Sequence, residues 1–123
     1  MPLLAVRAYL RLIYVDLCLM GGFSALYDRV RGYPISEVAP SDASIEEVCA
    51  AVDMACIWYW KEVLCLQRSV VAALLLRAHG VPARMVIGVQ QMPFRAHAWV
   101  EVEGRVVNDK AYMREMYAVL DCC

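Results

Sequence analysis

From Cys65 the chain runs through Leu66-Gln67-Arg68-Ser69 and a largely apolar stretch to His79-Gly80, with Pro82 just beyond. Gly stands where a left-handed cap is needed and Pro where a helix could not continue, so the run predicts a helix of about four turns. The rest of the chain has to be arranged around it. Cys65 falls at its amino end, where a thiol faces unpaired backbone N–H groups and the positive end of the helix dipole, both of which favour the thiolate. That placement makes Cys65 a candidate nucleophile.

Downstream, Pro93 to Asp109 contains Phe94-Arg95-Ala96-His97-Ala98-Trp99-Val100-Glu101 and Gly104-Arg105-Val106-Val107-Asn108-Asp109. Strand-like residues on both sides of Glu103-Gly104 predict a β-hairpin with His97 on its first strand and Asp109 on its second. A Cys on a helix with His and Asp on adjacent strands follows the logic of nucleophile, base and orienting acid. Taken singly, each residue has an ordinary structural use: an inert core thiol, a hydrogen-bonded imidazole, a turn carboxylate. Their joint occurrence in this order points to a triad of Cys65, His97 and Asp109. His79 reads as a residue of the helix C-terminus, stabilised by the dipole and without a catalytic part.

Hairpin register decides whether Asp109 can serve. His97, Trp99 and Glu101 share one strand face, while Ala96, Ala98, Val100 and Val102 share the other and should meet the helices. A two-residue turn at Glu103-Gly104 sets Asp109 opposite Ala98, on the wrong face; a three-residue loop sets it opposite His97 or Trp99. The sequence therefore predicts an odd loop or a bulge near Gly104.

With 123 residues the chain reads as one domain, 1–123, with a helical amino-terminal part over 1–60 and a catalytic core over 65–110. Apolar residues make up 62% and the formal charge is −1. A chain so apolar leaves some apolar surface uncovered, and one so nearly neutral lacks the basic field of a nucleic-acid binder. The cysteines, at 18, 49, 56, 65, 122 and 123, form no C-x-x-C pair and sit mostly in helix-like runs, which fits a reducing cytoplasm. His79 and His97 are the only histidines and stand in no close Cys/His cluster, so no metal or cofactor is expected.

Residues 2–20 are nearly continuous in apolar character, but Arg7, Arg11 and Asp16 interrupt them, which argues for a helix of a soluble protein and against a signal peptide or membrane span. That helix is either core or a docking surface. Gly21-Gly22 marks a break before a short helix over Phe23 to Arg31, and a loop follows from Gly32 to Asp42. Ser44-Ile45-Glu46-Glu47 has capping-box spacing and predicts a helix running to about Trp60, whose terminal Trp58-Tyr59-Trp60 could wall a cleft. Strands are predicted over 83–90, 95–102 and 105–109, and a final short helix over Tyr112 to Leu120. Helices first and an antiparallel sheet afterwards make the fold α+β.

Cys65-Leu66-x-Arg68-Ser69, Leu75, Gly80, Gly88-Val89, Pro93-Phe94-x-Ala96-His97-Ala98-Trp99-Val100-Glu101 and Asn108-Asp109 resemble the transglutaminase-like leader peptidases of lasso-peptide biosynthesis. The resemblance covers about half the chain, and the Pro-Phe-x-Ala-His-Ala-Trp block is its sharpest part. It implies a papain/transglutaminase-like cysteine protease core in a bacterial, cytoplasmic enzyme. In that family Cys65 would be the nucleophile, His97 the general base and acid, and Asp109 the residue orienting His97. The substrate implied is the leader of a ribosomally made precursor, whose core peptide a separate lasso cyclase then closes into a macrolactam. Family members often carry an additional amino-terminal leader-binding domain; residues 1–60 read as helices instead, which implies the split form and a heterodimer with a separate leader-recognition protein. Residues 2–31 are the natural place to look for its docking surface. Acyl transfer to an amine, as in true transglutaminases, and a non-catalytic binding subunit are the alternative readings.

Overall fold

The computed structural model describes residues 3–36 and 44–123. In chain order it holds α1 (Leu3–Leu19), α2 (Phe23–Gly32), α3 (Ile45–Trp58), α4 (Cys65–Ala78), β1 (Ala83–Gln91), β2 (Phe94–Val102), β3 (Arg105–Val106), α5 (Met113–Met116) and β4 (Ala118–Cys122). The four strands form one antiparallel sheet in the order β3-β2-β1-β4. This is the α+β architecture expected from helices followed by strands.

The centre is α4. Every residue from Ser69 to Arg77 is buried, because the helix is apolar nearly all round and is covered by α1 and α3 on one side and by β1 and β2 on the other. Its C-terminus forms as the sequence predicts, with Gly80 at φ 84°. Two neighbouring side chains then secure that end. The buried Arg77 guanidinium donates to the carbonyls of Val30, Tyr33, Ala83 and Cys123, and so ties the end of α2, the entry to β1 and the residue after β4 to one cation. His79 Nδ1 donates to the Leu75 carbonyl at 2.8 Å, and Nε2 accepts from Arg7 of α1 at 3.4 Å.

At the start of α3, Ser44 Oγ accepts from the Glu47 N–H at 3.1 Å, the expected cap. The helix stops at Trp58, short of the predicted Trp60, and its terminal aromatics divide. Tyr59 is buried against Tyr9 and donates to Asp16, whereas Trp58 and Trp60 are exposed. Trp60 lines a groove with Ile13, Leu17 and Met20 along α1. The loop predicted from Gly32 to Asp42 lies partly outside the described residues.

The sheet has two unlike faces. Ala83, Met85, Ala98, Val100 and Val102 meet the helices in the main core, in keeping with the alternation of β2. On the other face Val86, Trp99 and Met113 form a smaller cluster with Tyr117 packed on it. Here the predicted helix over Tyr112 to Leu120 gives way to the single turn of α5 followed by β4. The tertiary setting explains the difference: β1 has an unpaired edge, and residues 118–122 satisfy it, with a bulge between Ile87 and Gly88. The expected strand over 105–109 is likewise reduced to Arg105–Val106.

Gly88 makes the far face possible. A Cβ there would lie 2.6 Å from Trp99 Cη2, 2.7 Å from Cζ3 and 2.8 Å from Tyr117 Cβ, because the indole lies flat across this residue. Gly88→Ala is therefore expected to destabilise the protein by about 3 kcal/mol, read as a drop in the denaturation midpoint. An unchanged midpoint would show that the indole is free to move.

Candidate functional site: an imidazole–carboxylate pair beside the amino end of α4

Cys65 is the first residue of α4 and is partly buried. Leu64 stands at the cap position and supplies no side-chain hydrogen bond, so among the described residues the first-turn N–H groups have no side-chain cap. His97 lies on β2 opposite Gly88 and packs against the rings of Tyr117 and Trp99, at centroid distances of 5.3 and 6.1 Å. Its Nε2 is 2.7 Å from Asp109 Oδ2. An ionised carboxylate only accepts, so Nε2 carries a proton, and in the neutral ring Nδ1 is the nitrogen that keeps its lone pair.

The route by which Asp109 reaches His97 differs from the one expected. The turn is a plain two-residue one, Val102 pairing with Arg105 and Glu101 with Val106, with Glu103 and Gly104 both at positive φ (51° and 80°). Counting residues along an ideal ladder would put Asp109 on the wrong face, and no odd loop corrects this. Instead the ladder ends. Val107 N still donates to the Val100 carbonyl, but the Val100 N–H goes to Asn108 Oδ1 at 2.7 Å, a side chain standing where a strand carbonyl would otherwise be. Freed from pairing, the backbone turns away at 107–109, and the parity rule no longer governs Asp109.

Asn108 works in both directions. Its Nδ2 donates to Ser69 Oγ at 3.1 Å, and Ser69 in turn donates to the Ala98 carbonyl at 2.9 Å. Ser69 stands one turn after Cys65 on α4, and Ala98 is the neighbour of His97. This buried chain of hydrogen bonds locks the first turns of α4 to β2 and to the bend carrying Asp109. Arg68 adds a second link, its Nη2 3.8 Å from the Oδ2 atom that His97 uses. The sequence motif contains Arg68, Ser69 and Asn108, but residue type alone gave them no role. The available signal is an Asn directly before the carboxylate, a residue able to both donate and accept through its side chain.

Burial is the largest single influence on Asp109 and pushes its carboxyl up. Hydrogen bonds from His97 and the Lys110 N–H, with the His97 and Arg68 charges, together outweigh it and hold the carboxyl below its ordinary range. The structure thus brings His97 and Asp109 into contact. Among the described residues, no hydrogen bond joins the Cys65 thiol to the ring. Such bonds are often long in substrate-free enzymes.

Under the His97 ring, Trp99 Nε1 donates to Glu101 Oε2 at 2.9 Å, and Arg114 grips both oxygens of Glu101 at 2.8 and 2.9 Å. The Arg114 bond is the chief reason the Glu101 carboxyl is held below its usual value, against the opposing effect of burial. A carboxyl depressed on folding stabilises the native state above its unfolded pKa and loses that contribution as pH falls through the folded value. Glu101→Gln should accordingly cost about 2 kcal/mol at pH 7, and the gap to wild type should close as pH falls below ~4. A gap that stays constant across this range would show that the charge contributes nothing.

A family model described as the transglutaminase-like superfamily matches residues 12–122. The chain belongs to this superfamily. Over 56 residues it is 41% identical to the microcin J25-processing protein McjB of Escherichia coli, a stretch covering 46% of this chain and 27% of McjB. The match thus spans about a quarter of that relative's length. No solved structure matches the chain. The matched stretch of McjB belongs to a protein named for processing microcin J25.

Proposed function

We propose that this chain is a cysteine peptidase that removes the leader from a ribosomally synthesised lasso-peptide precursor, with Cys65 as nucleophile, His97 as general base and acid, and Asp109 as its orienting carboxylate. The observation carrying the reading is the Nε2–Asp109 bond. It fixes the tautomer whose Nδ1 is a base, on a strand locked through Ser69 to the helix that starts at Cys65.

In the proposed reaction His97 Nδ1 takes the Cys65 proton and the thiolate adds to the carbonyl of the last leader residue. The oxyanion is met by the Cys65 N–H at the uncapped helix start. Collapse of the tetrahedral adduct breaks the peptide bond, the core peptide leaves with the proton from His97, and a thioester remains. Water, deprotonated by His97, then hydrolyses it and returns the thiol. The core peptide's new amino end is what a separate cyclase needs for macrolactam closure, and a separate leader-recognition protein presents the precursor.

The test is mass spectrometry of precursor incubated with the protein and its recognition partner, with and without a primary amine. Expected are core peptide and a leader ending in a free carboxylate under both conditions. A leader–amine adduct as the main product would instead assign acyl transfer. Failure to cleave, with precursor binding intact, would assign a binding subunit.

A further inference from the structure

We propose that α1 is the dimer seam of this protein, pairing antiparallel across a two-fold axis with α1 of a second copy. The inward face of α1 is Ala5, Ala8, Leu12 and Val15, all buried. On the opposite face Leu3, Val6, Leu10, Ile13, Leu17 and Met20 are exposed, by between 38% and 84%. Their spacing alternates three and four residues from the first turn to the residue just after the helix. That is the a/d pattern of a coiled-coil helix, and it lies on the face this chain leaves uncovered.

No charged residue interrupts the stripe; of the three charged residues on α1, Arg7 and Asp16 are engaged at home, while Arg11 lines one flanking groove with its buried Nε lacking a hydrogen-bond partner among the described residues. Arg7 donates to His79, and Asp16 accepts from Tyr59 and pairs with Lys61. A partner chosen by charge would find one arginine beside the stripe and no charge within it, whereas a second identical apolar stripe matches its whole length.

The stripe is also self-complementary in order. When two copies are laid antiparallel about a point between Leu10 and Ile13, Leu10 meets Ile13, Val6 meets Leu17 and Leu3 meets Met20. Every layer then sets one a position against one d position, with a Leu in each. Grooves run along both flanks, one past Leu10, Tyr14 and Leu74 with Arg11 on its wall, the other past Ile13, Leu17 and Trp60 with the Asp16–Lys61 pair on its wall, and their apolar parts receive the neighbouring side chains. Over about 27 Å of helix the stripe and its flanks present on the order of 600–800 Å², the area one partner contributes to an ordinary stable interface. A two-fold contact of this kind closes on itself and leaves no further surface to propagate.

The seam lies apart from the Cys65 chemistry, and its test needs no substrate. Sedimentation of the full chain from about 1 to 100 µM should show a monomer–dimer equilibrium with a constant on the order of 10 µM. Leu10→Glu or Ile13→Lys, each at an exposed site and with an unchanged circular-dichroism melt, should each weaken it at least ~100-fold. Mixing the two variants should restore a dimer, because the register places the introduced carboxylate against the introduced ammonium. A wild-type chain that stays monomeric throughout overturns the proposal, as does a dimer indifferent to both substitutions. A mixture that fails to re-form overturns the antiparallel register. A monomer that instead binds the leader-recognition protein, and loses it on Leu10→Glu, assigns the stripe to that protein.

Discussion

Replacing Cys65 with alanine is expected to lower leader cleavage by at least ~10⁴-fold while the folded protein, by circular dichroism and melting, is unchanged. The size of the effect follows from the chemistry: with no sulfur there is no acyl-enzyme, and His97 is left with no proton to move. The fold should tolerate the change, because Cys65 is only partly buried, at the start of a helix held by Ser69 and by the apolar body of α4. Substitution is also a cleaner test than alkylation, since the other five cysteines are free thiols as well. Near-normal turnover by Cys65→Ala would end the assignment of Cys65 as nucleophile.

The second large effect is expected at Asp109. Asp109→Asn keeps the shape but offers His97 Nε2 a group that can turn its amide N–H toward the ring, which stabilises the tautomer with the proton on the wrong nitrogen. We expect kcat to fall on the order of 10³-fold with KM little changed, the pattern of a lost transition-state contribution. A merely structural role would appear as a lower melting temperature with kcat preserved. Arg68 gives an internal comparison. It touches the same carboxylate oxygen from 3.8 Å, at a partly solvated position, and can support Asp109 but cannot replace it.

The parts of the fold set by local chemistry were legible in the sequence. Gly80 and Pro82 ended α4 where they should, Ser44 capped α3, and the alternation of β2 separated a helix-facing side from the side carrying His97, Trp99 and Glu101. What local reasoning missed was decided by partners distant in sequence. The helix expected over 112–120, about two and a half turns, shrinks to one turn because the open edge of β1 recruits 118–122 as a strand. The apolar positions of α1 were plain, but periodicity cannot say which of two apolar faces the rest of the chain will cover.

Asn108 is the most instructive case. Face parity along a strand assumes that every rung of the ladder is backbone to backbone, and one side-chain amide in place of a carbonyl releases the chain from that count. The expected odd loop at Gly104 was the right remedy for a constraint that the protein does not have. The candidate residues themselves, His97 and Asp109, meet all the same.

The exposures of the three tryptophans offer an optical use. Trp58 and Trp60 are open to water, whereas Trp99 is fully enclosed and stacks near the His97 ring. Once the two outer indoles are exchanged for phenylalanine, emission would come from a single fluorophore beside that ring. The brightness of such a variant would then report any change in the surroundings of that ring, with no peptide in the cuvette.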